Sequence, residues 1–428
     1  MKLSVVAVVV MVLVGIGVVG TRYWLVPAEG AEAVQLTPDQ QRDVLQVAQD
    51  NDEFALDLYK QVASAEDGKN VFLSPFSIST ALAMTYAGAV GQTKEEMKQT
   101  LRFTLPDERL HAAFSALTKG LVTTGEDAPY QLRVANRLWA QKKFHFERDF
   151  LGLVDKYYKG GVEQVDFVAA AETVKRINSW VEDQTNGKIK DLLKPTDVNP
   201  LTRLILTNAI YFKGKWEAPF KKEDTQDAPF YTDDGGKVQV PMMHQKAEFE
   251  YAEVPAGDGQ MQVLVMPYAG GDLAMAILLP PKGRIGQLED ALTVERLGKL
   301  DLRKQKVDVY VPRFKLEDKY YLGKVLIGMG MPHAFSDAAD FSKMTGKPDL
   351  KIAKVIHGTF VDVNEEGTEA AAATHVEMEL KMAPMPRPVP VFRADHPFVF
   401  MIVHVPTQSI LFIGRLTKAE TAREAEGQ

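Results

Sequence analysis

The sequence contains no cysteine. This excludes disulfides, thiol nucleophiles, thiolate zinc sites and a lipoprotein-type anchor, and it leaves the redox compartment open. A basic excess is missing too: 50 Lys and Arg against 57 Asp and Glu give a net charge of −7. With no long Lys/Arg run, this argues against nucleic acid as a partner. Catalytic signatures are equally scarce. There is no serine-hydrolase elbow, no phosphate-binding glycine loop and no zinc-protease helix. The eight histidines, at 111, 145, 244, 333, 357, 375, 396 and 404, include no pair at the helical i, i+4 spacing of metal sites. Nothing in the pattern calls for a metal or a cofactor. Asp233-Asp234-Gly235-Gly236 reads as a hairpin turn, and Lys142-Lys143 and Lys221-Lys222 read as solvated charge.

Long apolar runs are absent except at the start. Leu3 to about Gly20 is apolar, is followed by Thr21-Arg22-Tyr23-Trp24, and leads to Ala31-x-Ala33, which suits signal-peptide cleavage. The segment is also close to bilayer-spanning length. Residues 1–33 are therefore read as a signal peptide or an N-terminal membrane anchor, with the remainder exported to an extracellular or periplasmic location.

Core-forming residues are plentiful: 46% of the 428 residues are hydrophobic and 25% charged, enough for a large core. No repeat and no interior linker divides the chain, so residues 34–416 are expected to form one domain, with 417–428 as a polar tail. Ser74-Pro75 has the form of an N-cap with proline at the first helical position. Ile78, Ala81, Leu82, Thr85 and Tyr86 then share a helical face that closes at Gly88. Val174, Ile177 and Val181 predict a second helix over 172–183. Strand formers dominate 132–141, 204–216, 261–282 and 306–317, and 396–416 reads as two strands joined at Pro406-Thr407-Gln408. Helices early and strands late predict a mixed α+β fold.

Residues 365–392, EEGTEAAAATHVEMELKMAPMPRPVPVF, carry the functional information. Alanine propensity alone would allow a helix. Alternation argues otherwise: Thr368, Ala370, Ala372, Thr374, Val376, Met378 and Leu380 form one set, with no charge. Glu369, Ala371, Ala373, His375, Glu377, Glu379 and Lys381 form the other, with every ionisable group. This is a strand with one buried face. Its flanks, Gly367 and prolines at 384, 386, 388 and 390, suit an exposed extended loop instead. The segment is thus written for two states.

EEGTEAAAAT resembles the hinge of the reactive-centre loop in the serpin family of protease inhibitors. The likeness extends from about residue 45 to 416 through NVFLSPFSIS, GAVGQTKEEM, NRLWAQ, INSWVEDQTNGKI, LILTNAIYFKGKWEAPF, YVPRFKLE, DFSKM and FRADHPFVFMI. The resemblance implies a serpin fold of three β-sheets with helices mostly N-terminal. It also implies a suicide-substrate mechanism, in which a serine protease acylated on the loop is trapped one-to-one as the cleaved loop inserts into the central sheet. Carried onto this chain, the hinge comprises Glu365, Gly367, Thr368, Glu369, Ala370, Ala371, Ala372, Ala373 and Thr374. The reactive bond falls at Lys381–Met382, with Leu380 or Met382 as alternative positions because APMPRPVPV lengthens the segment beyond it. Lys381 suits an acidic, trypsin-type specificity pocket, and Glu377 and Glu379 would tune the choice of enzyme. Ser74, Ser77, Asn208 and His357 match a polar cluster beneath the sheet where strands must part, and Trp216 matches the top of that opening. The resemblance implies a monomer. A carrier, binding or chaperone role without inhibition is the rival reading.

Overall fold

The computed structural model describes residues 36–121, 128–159, 161–256, 259–368 and 388–419. The N-terminal apolar run, Glu369 to Thr374, Leu380, Lys381, Met382 and the tail from residue 420 lie outside them.

Among the described residues up to 184, six helices form: α1 (Pro38–Ala65), α2 (Pro75–Tyr86), α3 (Gly91–Thr100), α4 (Asp107–Leu121), α5 (Arg148–Tyr158) and α6 (Ala170–Gln184). Later helices are short: α7 (Ile285–Ala291), α8 (Val294–Leu297), α9 (Gly323–Met329) and α10 (Ser342–Thr345). The sequence reading did not mark α1. It is set by a capping box between Thr37 and Gln40 with Pro38 at the first turn, and it buries Val44, Val47, Phe54, Leu58 and Val62. In α2 every residue is buried, Ser77, Ser79, Thr80 and Thr85 included, so the helix is enclosed on all sides and not only on the face that its spacing marks.

The strands are β1 (Val71–Leu73), β2 (Tyr130–Gln141), β3 (Val162–Val165), β4 (Leu204–Lys215) and β5 (Gln226–Tyr231). They continue with β6 (Lys237–Ala256), β7 (Gly259–Pro267), β8 (Leu273–Leu279), β9 (Arg303–Pro312) and β10 (Phe314–Tyr321). The last five are β11 (Lys354–Asn364), β12 (Gly367–Thr368), β13 (Val391–Arg393), β14 (Phe398–His404) and β15 (Ser409–Leu416). Two of the three expected sheets share β6, whose 20 residues pair with β5, β7 and β9, so they form one nine-stranded hydrogen-bonded network. The turn at 233–236 joins β5 to β6 as a hairpin, and 406–408 lies between β14 and β15, both as expected.

The other sheet has six strands in the order β10-β11-β12-β4-β2-β3. β4 and β11 lie at its centre and are almost continuously buried, as strands covered on both faces must be. One face, carrying Leu206, Phe212, Val355 and Val361, packs into the main core, which runs from Val44 to Ala419 in sequence. The other, carrying Ile205, Tyr211, Ile356 and Phe360, is covered by Val174, Ile177 and Val181 of α6.

A candidate functional site at the seam of the six-stranded sheet

β4 and β11 run parallel and pair directly from Ile205/Lys354 to Tyr211/Phe360. Above that point β12 separates them. Gly367 and Thr368 pair antiparallel with Lys215 and Gly214 on one side, and with Asn364 and Val363 on the other. The seam is therefore closed below and occupied by two residues of another strand above.

The upper end depends on one glycine. Gly367 has φ +144°, and a Cβ there would lie 2.0 Å from the Gly214 carbonyl oxygen, so only glycine admits so close a backbone approach. Thr368 is fully buried, and its hydroxyl lies 3.0 Å from the Tyr268 hydroxyl. Trp216 stacks on Tyr268 with ring centroids 4.5 Å apart. Its indole N–H donates to the Asn364 carbonyl at 3.0 Å, and its backbone N–H donates to that of Glu366 at 3.0 Å. Glu365 is buried, accepting from the Thr225 hydroxyl at 2.8 Å, with Arg313 3.7 Å away. Glu366 pairs with Lys222 at 2.7 Å, which raises the lysine's pKa. The turn preceding β12 is thus held by Trp216, Thr225, Arg313 and Lys222.

The lower end is held by a polar row. Asn136, Asn208 and His357 are in register across β2, β4 and β11, and α2 brings Ser74 and Ser77 beneath them. The Ser74 hydroxyl caps α2 by accepting from the Ser77 N–H at 3.2 Å and donates to the Leu411 carbonyl at 2.6 Å. The Ser74 N–H donates to His357 Nε2 at 3.0 Å. This leaves the imidazole proton on Nδ1, which donates to Asn208 Oδ1. Asn208 Nδ2 in turn donates to the Ser77 hydroxyl and to Asn136 Oδ1. Burial lowers the His357 pKa to about 3, so the ring is neutral. One polar group per strand cross-links the seam where it is closed.

The structure thus brings Ser74, Ser77, Asn208 and His357 together, and it sets Trp216 beside Glu365, Gly367 and Thr368. Sequence reasoning missed Asn136, Tyr268, Thr225, Lys222 and Arg313. Asn136 offered a signal, being a lone amide inside the apolar strand VANRLW; the other four are distant in sequence and are recruited only by the fold.

The sequence matches the family described as Serpin (serine protease inhibitor) over residues 49–419. The leukocyte elastase inhibitor of Bos taurus is 43% identical over 384 residues, covering 87% of this chain and 99% of that protein. An uncharacterized serpin-like protein of Thermococcus kodakarensis is 41% identical over 396 residues, 90% of each chain. Among solved structures, uncleaved ovalbumin superposes with a TM-score of 0.78 at 33% identity, covering 87% of this chain and 99% of that one. Human thyroxine-binding globulin complexed with thyroxine gives 0.79 at 33% identity, covering 88% and 99%. The fold is one shared with these α+β proteins. The chain belongs to the serpin family. That membership, with an elastase inhibitor among the relatives, supports serine protease inhibition as its activity and a protease as its partner.

Proposed function

We propose that this protein is a suicide-substrate inhibitor of serine proteases with trypsin-like preference, exported from the cytoplasm and acting as a monomer. The observation that carries the reading is the placement of Gly367 and Thr368, antiparallel between β4 and β11. Cleavage of the downstream segment would free it to continue in the same register. Counting on from Thr368, Thr374 comes level with Asn208 and His357, so the next polar side chain of the uncharged set arrives where the closed seam holds its polar row. The intervening members of that set, Ala370 and Ala372, are small enough to enter between strands.

In the reaction the protease serine attacks the Lys381 carbonyl, the Lys381–Met382 peptide bond breaks, and the new Met382 amine leaves with a proton. An ester joins Lys381 to the enzyme. Hydrolysis of that ester needs an intact oxyanion hole. Insertion of the segment that follows Thr368, as far as Lys381, drags the enzyme along and distorts it, leaving the ester uncleaved. The inhibitor needs mechanical work and no catalytic group of its own.

Mixing the protein with trypsin tests this. A one-to-one band that survives boiling in detergent, with the new terminus at Met382 by mass spectrometry, is expected. Simple proteolysis, or no reaction, would instead favour a binding or carrier role.

A further inference from the structure

The lower end of the seam is cationic on the α6-covered face. Lys354 opens β11 and pairs with Asp197 at 3.0 Å. Asp197 also accepts from the Tyr321 hydroxyl and the Lys194 N–H, each at 2.8 Å, so it keeps partners if Lys354 turns away. Arg203 immediately precedes β4. Its guanidinium donates to the Pro200 and Thr202 carbonyls at 2.8 and 3.0 Å, and it has no carboxylate partner among the described residues. Cations at a strand opening draw carboxylates to the same level of the sheet.

The register of β12 states which residues would come level with them. Were the register of Gly367 and Thr368 continued, each residue after Thr368 would move one position down both strands from Gly214 and Val363. Glu369 then meets Lys213 and Asp362; Ala371 meets Tyr211 and Phe360; Ala373 meets Ala209 and Gly358. The last of these positions is tight, because a Cβ on Gly358 would lie 2.7 Å from Leu192. Glu377 comes level with Lys354, and Glu379 with Arg203. Because Thr368 shares its face with Val363 of the main core, the odd-numbered set faces α6. Small residues would therefore fall where the covering layer is tight, and Glu377 and Glu379 where it is cationic, while Glu369 would meet one cation and one carboxylate.

We propose that the seam is charge-matched to this chain's own segment 369–379, with Lys354 and Arg203 receiving Glu377 and Glu379 in the last steps of insertion. The two glutamates then secure the inserted strand, a role separate from any contact with the protease. The inference rests on the proposed insertion of the cleaved loop.

Charge reversal tests it: Glu377→Lys, Lys354→Glu and the two combined, each nicked in the loop and melted by calorimetry. Each single reversal is expected to lower the melting temperature of the nicked form by about 1–2 °C and to raise severalfold the inhibitor consumed per protease trapped. The combined reversal is expected to restore both. Glu377→Lys alone should leave the intact form unchanged. The pair Glu379→Lys and Arg203→Glu repeats the test without touching Asp197, should Lys354→Glu fold poorly. Single reversals without effect, or a double reversal that merely adds the two losses, would overturn the charge match while leaving insertion standing. A wild-type nicked form no more stable than the intact form would overturn both.

Discussion

The two ends of the β4–β11 seam are built from the same two strands and hold them apart or together by different means. At the upper end the backbone hydrogen bonds of both strands go to a third strand, and the side chains nearby, Trp216, Tyr268 and Thr368, clasp that newcomer. At the lower end the strands bond to each other, and the cross-links are side chains reached from α2 and β2. On the proposed insertion mechanism, the upper end would govern whether a strand can begin to insert, and the lower end how firmly the intact form stays shut. A substitution above should act chiefly on inhibition, and one below chiefly on the stability of the intact form.

The sharpest break of that contrast is Thr368→Arg. Thr368 is fully buried in β12, and a guanidinium placed there must be desolvated or must draw β12 out of the seam. Insertion should slow while ester hydrolysis continues, so the variant becomes a substrate: gels should show cleaved inhibitor and no covalent complex. Retained one-to-one trapping would contradict the role given to the upper end. Lys381→Ala tests the tether apart from either end. Inhibition of trypsin-like enzymes should be lost while the intact melting temperature holds; unchanged inhibition would move the reactive bond to another residue.

At the lower end, His357→Ala leaves the Ser74 N–H and Asn208 Oδ1 without partners in a buried site. A loss of about 2–5 kcal/mol in the unfolding free energy of the intact form is expected, read by denaturant titration. The same ring makes stability depend on pH. Its folded pKa lies near 3, below the ordinary 6.5, so between these values the unfolded chain binds a proton that the folded one refuses. Stability is then complete above about pH 6.5 and falls as the pH drops toward 3. His404 and His111, both lowered to about 4 by burial, act in the same direction. His357→Gln should flatten part of that slope, and an unchanged slope would remove His357 from the account. The smallest effect is expected for Lys222→Ala. Its pair with Glu366 is solvent-exposed on the lysine side and is screened, so the melting temperature should not measurably move.

Much of this was legible in the sequence, for physical reasons that differ by element. Ser74-Pro75 announces a helix start because cap and proline chemistry are local, and α2 begins there. The alternation that begins at Thr368 can be seen in consecutive residues; Thr368 is buried in β12, and Ala370, Ala372 and Thr374 lie outside the described residues. α1 went unmarked although its capping box is written plainly in Thr37-Pro38-Asp39-Gln40. The partners of Glu365 and Glu366 could not be read at all. Thr225 and Lys222 are about 140 residues away in sequence, and neither carries a local mark that distinguishes it from any solvated residue. Asn208 and His357 stand out as polar residues inside otherwise buried strands, but that β12 separates β4 from β11 above them could not be read, since only pairing tells one end from the other.

The most direct measurement is the melting temperature of the protein nicked within residues 369–387, set against that of the intact protein. A strand inserted along the whole seam replaces the β4–β11 pairing with two ladders, so the nicked form is predicted to melt far above the intact one. Equal or lower melting after the cut would mean that the seam does not accept the segment, and the account would be wrong.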